Sequence, residues 1–124
     1  VYNNGDMKRD FTYIDDIIEG IIGVMGRIPE RQSNELSLAI APYKIYNIGN
    51  NKPVTLRSFI RAIEDACGKS AVQNLLPMQP GDVPITFANV SALIADVGFK
   101  PTISIEDGIS EFVRWYNEHG FRYS

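Results

Sequence analysis

The sequence is poor in residues that several classes of protein require. Its 124 residues include one cysteine, Cys67, and one histidine, His119. A single thiol cannot form an internal disulfide, which excludes a disulfide-stabilised fold and favours the cytoplasm. A metal site needs several His, Cys or carboxylate ligands that converge, and the sequence shows no such cluster. We therefore expect neither an internal disulfide nor a bound metal.

Long hydrophobic runs and an excess of positive charge are missing as well. Asp15, Asp16 and Glu19 interrupt the most apolar stretch, so no segment reaches the length needed to span a bilayer. With 12 basic and 15 acidic residues the formal net charge is -3, and the positive field that attracts nucleic acid is absent. We expect a protein that binds neither membranes nor nucleic acid.

The hydrophobic pattern predicts one small α/β domain over residues 1–124, with about four helices and several short strands. The chain has no initiator methionine and opens as if within a strand, so we expect it to be part of a longer protein. The predicted strands are Val1–Tyr2, which precedes an Asn4-Gly5 turn, Lys8–Tyr13 and Tyr43–Ile48, and a surface loop is predicted over 30–42. The first predicted helix begins at Ile14 and is ended by Pro29, and the second is capped by Thr55 and stopped by Gly68. The third helix runs over about Asn89–Val97, and the fourth is capped by Ser104 and stopped by Gly120.

Three glycines in the first predicted helix approximate a dinucleotide-binding fingerprint. Gly20, Gly23 and Gly26 are spaced as G-x-x-G-x-x-G. The fingerprint works where glycines follow a buried strand and open a helix, because backbone N–H groups then meet the pyrophosphate. Here the glycines lie inside an apolar helical pattern. They predict close packing of the helix against a neighbour, and no NAD site.

The sequence supplies no catalyst of its own. A Tyr-x-x-x-Lys pair is absent. His119 lies beside Gly120 at a predicted helix C-terminus, with no Ser or Cys nucleophile spaced for it. A capping or solvent-exposed role is therefore predicted for His119, and no catalytic residue is assigned.

Two stretches suit the binding of a ligand. Arg9 is predicted on a strand just before an acidic helix start, and its planar guanidinium matches phosphate oxygens. An internal ion pair with Asp10 or Asp16 is the alternative. In Gln79–Pro84, two prolines stiffen a loop that a ligand can approach at Gly81. Asp82 could accept hydrogen bonds from a sugar hydroxyl, or simply form an Asx turn.

Three motifs in a fixed order carry a resemblance. They are Arg9-Asp10-Phe11 before the acidic helix start, Tyr46-Asn47-Ile48-Gly49, and Pro77-Met78-Gln79-Pro80-Gly81-Asp82-Val83-Pro84. From Val1 to about Gly120 the chain resembles the C-terminal substrate-binding portion of extended short-chain dehydrogenase/reductase enzymes, the NAD-dependent epimerases/dehydratases, and most of all UDP-glucuronate 4-epimerases. The resemblance implies that bound NAD oxidises the sugar at C4 and returns the hydride to the opposite face. It places the tyrosine base and the NAD-binding Rossmann half in an N-terminal part absent here, and it implies a homodimer.

The resemblance also implies roles for individual residues. Tyr2 matches an aromatic residue that packs on uracil, Arg9 an arginine that grips the diphosphate, and Asp82 an acid near the ribose. Asn47 resembles an orienting residue at a strand end. Thr86 stands where galactose-type epimerases carry a bulky tyrosine, so a small threonine leaves room for a carboxylate or an N-acetyl group.

Two positions depart from the family pattern. Several relatives have a second phosphate-binding arginine where this chain has Gln79, so Arg9 is expected to carry more of the anion binding. Asn89 replaces an aspartate and can cap the following helix equally well.

Other functions stay open. Within the family, a UDP-N-acetylhexosamine 4-epimerase or a sugar-nucleotide 4,6-dehydratase would also use a roomy pocket. Outside it, a non-catalytic nucleotide-binding module is the alternative. If half of the enzyme is indeed missing, one apolar face of this domain should be exposed.

Overall fold

The computed structural model describes residues 1–30 and 42–120, and the predicted loop over 30–42 falls almost wholly outside them. A 3-10 helix at Tyr2–Gly5 precedes all other elements. These are β1 (Lys8–Arg9), α1 (Ile14–Met25), β2 (Val54–Thr55), α2 (Leu56–Cys67), α3 (Ser91–Val97) and α4 (Ile105–His119). The described part thus has the four helices and the mixed α/β character that the sequence predicts.

The sheet is smaller than predicted. β1 pairs antiparallel with β2, with Lys8 opposite Thr55 and Arg9 opposite Val54. On its other side Lys8 forms a parallel bridge to Ile85. In that bridge the Lys8 N–H donates to the Pro84 carbonyl at 2.9 Å, and the Thr86 N–H donates to the Lys8 carbonyl at 3.3 Å. β1 therefore lies between β2 and the segment that follows the proline-bracketed loop.

The helix boundaries follow the predicted caps. Thr55 Oγ1 accepts the Ser58 N–H at 3.0 Å, and Ser104 Oγ accepts the Asp107 N–H at 3.1 Å, so both N-caps are confirmed. Gly68 ends α2 in the left-handed region at φ 63°. The end of α1 is the exception: the helix stops at Met25, four residues before Pro29, because the chain tightens into a final turn at Gly26.

The core lies between α1 and α3. Val90, Leu93 and Phe99 are its buried members. A Cβ added at Gly20 would lie 3.1 Å from the Phe99 ring, and one added at Gly23 would lie 3.3 Å from Val97. This confirms that these two glycines allow close packing of the helix.

Two predicted strands are wrong. The N-terminal residues form a 3-10 helix, because Asn3, Asn4 and Gly5 all take positive φ angles (48°, 49° and 81°), which an extended chain cannot contain. The predicted Asn4-Gly5 turn is itself present. No backbone hydrogen bond joins residues 43–48 to another described segment, so Tyr43–Ile48 has no partner with which to form a strand. Among the described helices, none is long and apolar enough to cross a membrane.

Candidate functional site

Arg9 lies on β1 with its guanidinium directed to Pro84, the last residue of the proline-bracketed loop. Its Nη1 donates to the Lys8 carbonyl at 2.9 Å and to the Pro84 carbonyl at 3.4 Å. The alternative of an ion pair with Asp10 or Asp16 is wrong, because both carboxylates accept backbone N–H groups instead. Among the described residues only Nη1 has a partner, which leaves the other guanidinium donors for an anion.

The proline-bracketed loop is closed by backbone atoms. The Asp82 N–H donates to the Gln79 carbonyl at 3.2 Å, and Gly81 takes a positive φ of 89°. A Cβ added at Gly81 would meet no atom of the described residues within 4 Å, so this point of the backbone is open to a ligand. The Asp82 carboxylate has no hydrogen-bond partner in the described part of the chain, and the Asx turn offered as its alternative is not formed. The Gln79 side chain is exposed.

Tyr2 and Thr86 flank the same stretch of chain. The Val1 carbonyl accepts the Leu76 N–H at 2.9 Å and the Asn4 N–H donates to the Leu76 carbonyl at 3.1 Å, which fixes the turn that carries Tyr2 beside Leu76. The Tyr2 side chain is 41% exposed. Thr86 is exposed and lies next to Lys8 in the parallel bridge. Tyr2, Arg9, Gln79, Asp82 and Thr86 therefore all lie on or against residues 74–86.

Asn47 lies apart from that group. Its Nδ2 donates to the Asn89 carbonyl at 3.4 Å, just before α3. The Asn89 side chain accepts the Ser91 N–H at 3.1 Å, but the N-cap of α3 is Val90, so the cap predicted at Asn89 is not formed. Asn47 is thus placed at the far end of the segment that begins at Pro84.

Asp10 holds the two parts of the candidate site together, a role that the motif reading missed. Its Oδ2 accepts the Asn51 N–H at 2.9 Å and the Ala88 N–H at 3.1 Å, and its Oδ1 accepts the Lys52 N–H at 3.4 Å. One carboxylate therefore ties β1 to the turn after Gly49 and to the segment after Thr86. Neighbouring side chains of an extended chain point to opposite faces, so this alternation could have predicted that Arg9 and Asp10 point apart.

Asp16 makes a second clamp of the same kind. Its side chain is 2% exposed. Oδ1 accepts the Thr102 N–H at 3.0 Å and Oδ2 accepts the Ile103 N–H at 3.1 Å, which joins α1 to the chain entering α4. Asp16, Gly20 and Gly23 follow helical spacing, and this placed Asp16 on the packed face of α1. The first-turn position alone suggested only a contribution to the helix dipole.

A third polar cluster lies at Asp96, near the C-terminal end of α3. Asp96 accepts hydrogen bonds from Lys44 and from the Tyr46 hydroxyl. The hydrogen bond from Lys44, followed by that from Tyr46, lowers the pKa of the Asp96 carboxyl. The same interaction with Asp96 raises the pKa of Lys44 and that of Tyr46. These contacts fasten the segment that carries Asn47 to α3.

The described residues contain no group of three or more His, Cys, Asp or Glu able to hold a metal ion. His119 Nδ1 lies 3.0 Å from the Trp115 carbonyl in the last turn of α4, in keeping with the predicted capping role. The arrangement offers a cation, an acid, an aromatic ring and small polar groups around one segment. It suits binding and orientation of a ligand.

Comparison with known proteins finds relatives that match nearly the whole of this chain but only part of their own length. No protein-family model matches the chain. Protein CapI of Staphylococcus aureus is 50% identical over 96% of the chain, and a probable UDP-glucuronate 4-epimerase of Rhizobium meliloti is 43% identical over 96%. The chain spans 37% of the length of each. The crystal structure of a UDP-glucuronic acid 4-epimerase from Bacillus cereus with UDP-glucuronic acid and NAD superposes on 93% of the chain and 34% of its own, with a TM-score of 0.71 and 29% identity.

The chain is therefore homologous to nucleotide-sugar epimerases, and it matches about one third of the length of such an enzyme. The three ordered motifs predicted this relationship. UDP-glucuronate 4-epimerases are among its relatives, including one from Arabidopsis thaliana that is 40% identical over 92% of the chain. The fold corresponds to the C-terminal portion of those enzymes.

Proposed function

We propose that this chain is the UDP-sugar-binding part of an NAD-dependent nucleotide-sugar 4-epimerase that interconverts UDP-glucuronate and UDP-galacturonate. The observation that carries the proposal is Arg9: it forms no ion pair with a carboxylate of residues 1–30 or 42–120, and its guanidinium lies against Pro84 of the proline-bracketed loop. A guanidinium held on a strand beside an open backbone turn is suited to a diphosphate.

Each remaining site residue has a task in this proposal. Tyr2 packs on the uracil ring, and the free carboxylate of Asp82 accepts a hydrogen bond from the ribose. Gln79 donates a neutral hydrogen bond to the diphosphate where several family members would place a second cation. Asn47 orients the sugar from the Asn89 side. Thr86 leaves the pocket space for the carboxylate at C6 of the hexuronate.

The cofactor is not held by this chain. When bound to the complete enzyme, NAD would supply the reversible hydride transfer at C4 of the sugar. The described residues have no glycine-rich turn between a strand and a helix, and Gly20 and Gly23 are covered by Phe99 and Val97. We propose that NAD binds to a Rossmann domain N-terminal to this segment, and that the complete enzyme is a cytoplasmic homodimer.

An exposed apolar stripe on α1 supports the existence of such a partner domain. The stripe follows helical spacing along the face opposite Gly20, with exposures of 58% at Ile14, 63% at Ile22 and 79% at Met25. Its members are Ile14, Ile18, Ile21, Ile22 and Met25. A face of this size on one helix is typical of an interface.

The direct test is an assay of the full-length enzyme that contains this segment, supplied with NAD and UDP-glucuronate. We expect UDP-galacturonate, resolved by anion-exchange chromatography, and the reverse reaction from UDP-galacturonate. Preferential turnover of UDP-N-acetylglucosamine would shift the assignment to a hexosamine epimerase, and loss of water to give a 4-keto-6-deoxy sugar would shift it to a dehydratase. Tight UDP binding by a protein without a Gly-rich βαβ unit would contradict the enzyme proposal altogether.

A further inference from the structure

The turn that carries Tyr2 has an unusual backbone that needs outside support. Asn3, Asn4 and Gly5 all lie in the left-handed region. Asparagine tolerates this conformation better than most residues, yet two consecutive non-glycine residues in it are uncommon. The turn is closed from within by Asn3, whose Nδ2 donates to the Asp6 carbonyl at 2.7 Å. The Asn4 N–H is satisfied by Leu76, which leaves the Asn4 carbonyl to be satisfied from elsewhere.

Arg57 supplies that contact from α2. Its Nη2 donates to the Asn4 carbonyl at 2.8 Å, across 53 residues of sequence. Its aliphatic stem covers Gly5, where an added Cβ would lie 3.3 Å from the Arg57 Cγ. One side chain therefore touches both Asn4 and Gly5, the two residues that complete the turn after Tyr2 and Asn3.

The position of Arg57 is unfavourable for α2 itself. Thr55 is the N-cap, so Arg57 is the second residue of the helix. The N-terminus of a helix carries partial positive charge and disfavours a cation there. Helix stability does not account for an arginine at this point, whereas the contact with the Tyr2 turn does.

We propose that Arg57 is a positioning residue that holds the Tyr2 ring in the orientation required to pack on the nucleotide base, an inference that rests on the proposed function. It acts through Asn4 and Gly5 and does not touch the reacting sugar. The guanidinium fixes the turn and thereby reduces the entropy lost when Tyr2 orders against a base.

The test compares Arg57→Met with Arg61→Met in the full-length enzyme. Arg61 lies one turn later on α2, is exposed, and has no partner in the part of the chain that the structure describes. Methionine keeps the stem over Gly5 and removes the donors. We expect Arg57→Met to raise KM for the UDP-sugar and Kd for UDP by roughly threefold to tenfold, the worth of one hydrogen bond, with kcat unchanged. Arg61→Met should change neither, and Arg57→Lys should restore part of the loss.

A double-mutant cycle separates positioning from mere stability. In a Tyr2→Ala background, Arg57→Met should have no further effect on Kd for UDP, because the ring that it positions is gone. Equal losses from Arg57→Met and Arg61→Met, or an undiminished effect of Arg57→Met in the Tyr2→Ala background, would overturn the inference. Normal UDP binding by Arg57→Met would refute the role of Arg57 alone. Absence of UDP binding by the unaltered enzyme would refute the proposed function and this inference together.

Discussion

Ala88 donates its backbone N–H to the Asp10 carboxylate across 3.1 Å, and this bond connects residues 78 positions apart. The same oxygen accepts the Asn51 N–H at 2.9 Å. A Cβ added at Gly49 would lie 2.5 Å from the Ala88 Cβ and 3.0 Å from the Asp10 oxygen, so the three segments meet where only glycine fits. Asp10 thus fixes the spacing between the Asn47 and Thr86 segments.

Asp10→Asn should destabilise the enzyme that contains this segment. The amide offers one acceptor oxygen and directs N–H donors at backbone N–H groups, so part of the clamp is lost and replaced by repulsion. We expect a loss of about 1–3 kcal/mol in the free energy of unfolding, measured by urea denaturation. Asp15→Asn, at an exposed position of α1, makes the same chemical change. It should lower the free energy of unfolding by only a few tenths of the loss in Asp10→Asn. Equal losses in the two variants would contradict the clamp.

The α1–α3 contact predicts opposite outcomes for two alanine substitutions on one helix. Gly20→Ala places a methyl group 3.1 Å from the buried ring of Phe99, and we expect a loss of about 1–3 kcal/mol in unfolding free energy. A Cβ at Gly26 meets only the Gly23 carbonyl at 3.9 Å, and φ there is -82°, which alanine adopts freely. Gly26→Ala should therefore be neutral or slightly stabilising. Thermal denaturation of both variants in parallel makes the comparison.

The Lys44–Asp96–Tyr46 cluster predicts a specific pH dependence. Because the folded pKa of Asp96 is lowered, its interactions stabilise the fold at pH values above the ordinary aspartate pKa. That contribution is lost as the pH falls through the lowered pKa. Carbon-detected NMR titration of the Asp96 carboxyl should give a midpoint below the ordinary value. Lys44→Met should move the midpoint upward more than Tyr46→Phe does, since the hydrogen bond from Lys44 is the larger cause. An unmoved midpoint in Lys44→Met would contradict the assignment.

The apolar stripe of α1 predicts how the 124-residue chain behaves when it is studied without the proposed partner domain. The chain should bind a hydrophobic dye and self-associate in light scattering, because the stripe is then open to water. Ile18→Glu together with Ile22→Glu should suppress both effects. If the unsubstituted 124-residue chain is monomeric and binds no dye, the result would argue against a partner domain that covers the stripe.

The local signals in the sequence were sufficient for the existence of the four helices and for the boundaries of α2 and α4, but not for the end of α1. The Thr55 and Ser104 caps and the Gly68 stop depend on neighbouring residues only, and the structure has them where they were predicted. The strand over Tyr43–Ile48 was predicted wrongly because a strand needs a partner, and periodicity does not report whether one exists. The clamps of Asp10 and Asp16 join residues 41 or more positions apart, so no local pattern revealed their partners.

The candidate site was predictable only through the ordered motifs. Composition and spacing could not decide whether Arg9 forms an internal ion pair or binds an anion. In the structure the Asp10 carboxylate accepts backbone N–H groups and forms no ion pair with Arg9. The roles of Tyr2, Asn47, Gln79, Asp82 and Thr86 in binding stay predictions, since they require a ligand to be observed. Arg57 carried no signal in the sequence because its contact is with a turn 53 residues earlier.

Titration calorimetry of UDP into the full-length enzyme, before and after Arg9→Ala, tests the central claim most directly. A charge-assisted contact with the diphosphate predicts a loss of roughly tenfold to a hundredfold in affinity. Lys8→Ala is the matched control: it removes the same charge from the neighbouring, exposed side chain of β1 and should leave the affinity nearly unchanged. Unchanged UDP affinity in Arg9→Ala, or equal losses in both variants, would contradict the claim that Arg9 grips the nucleotide.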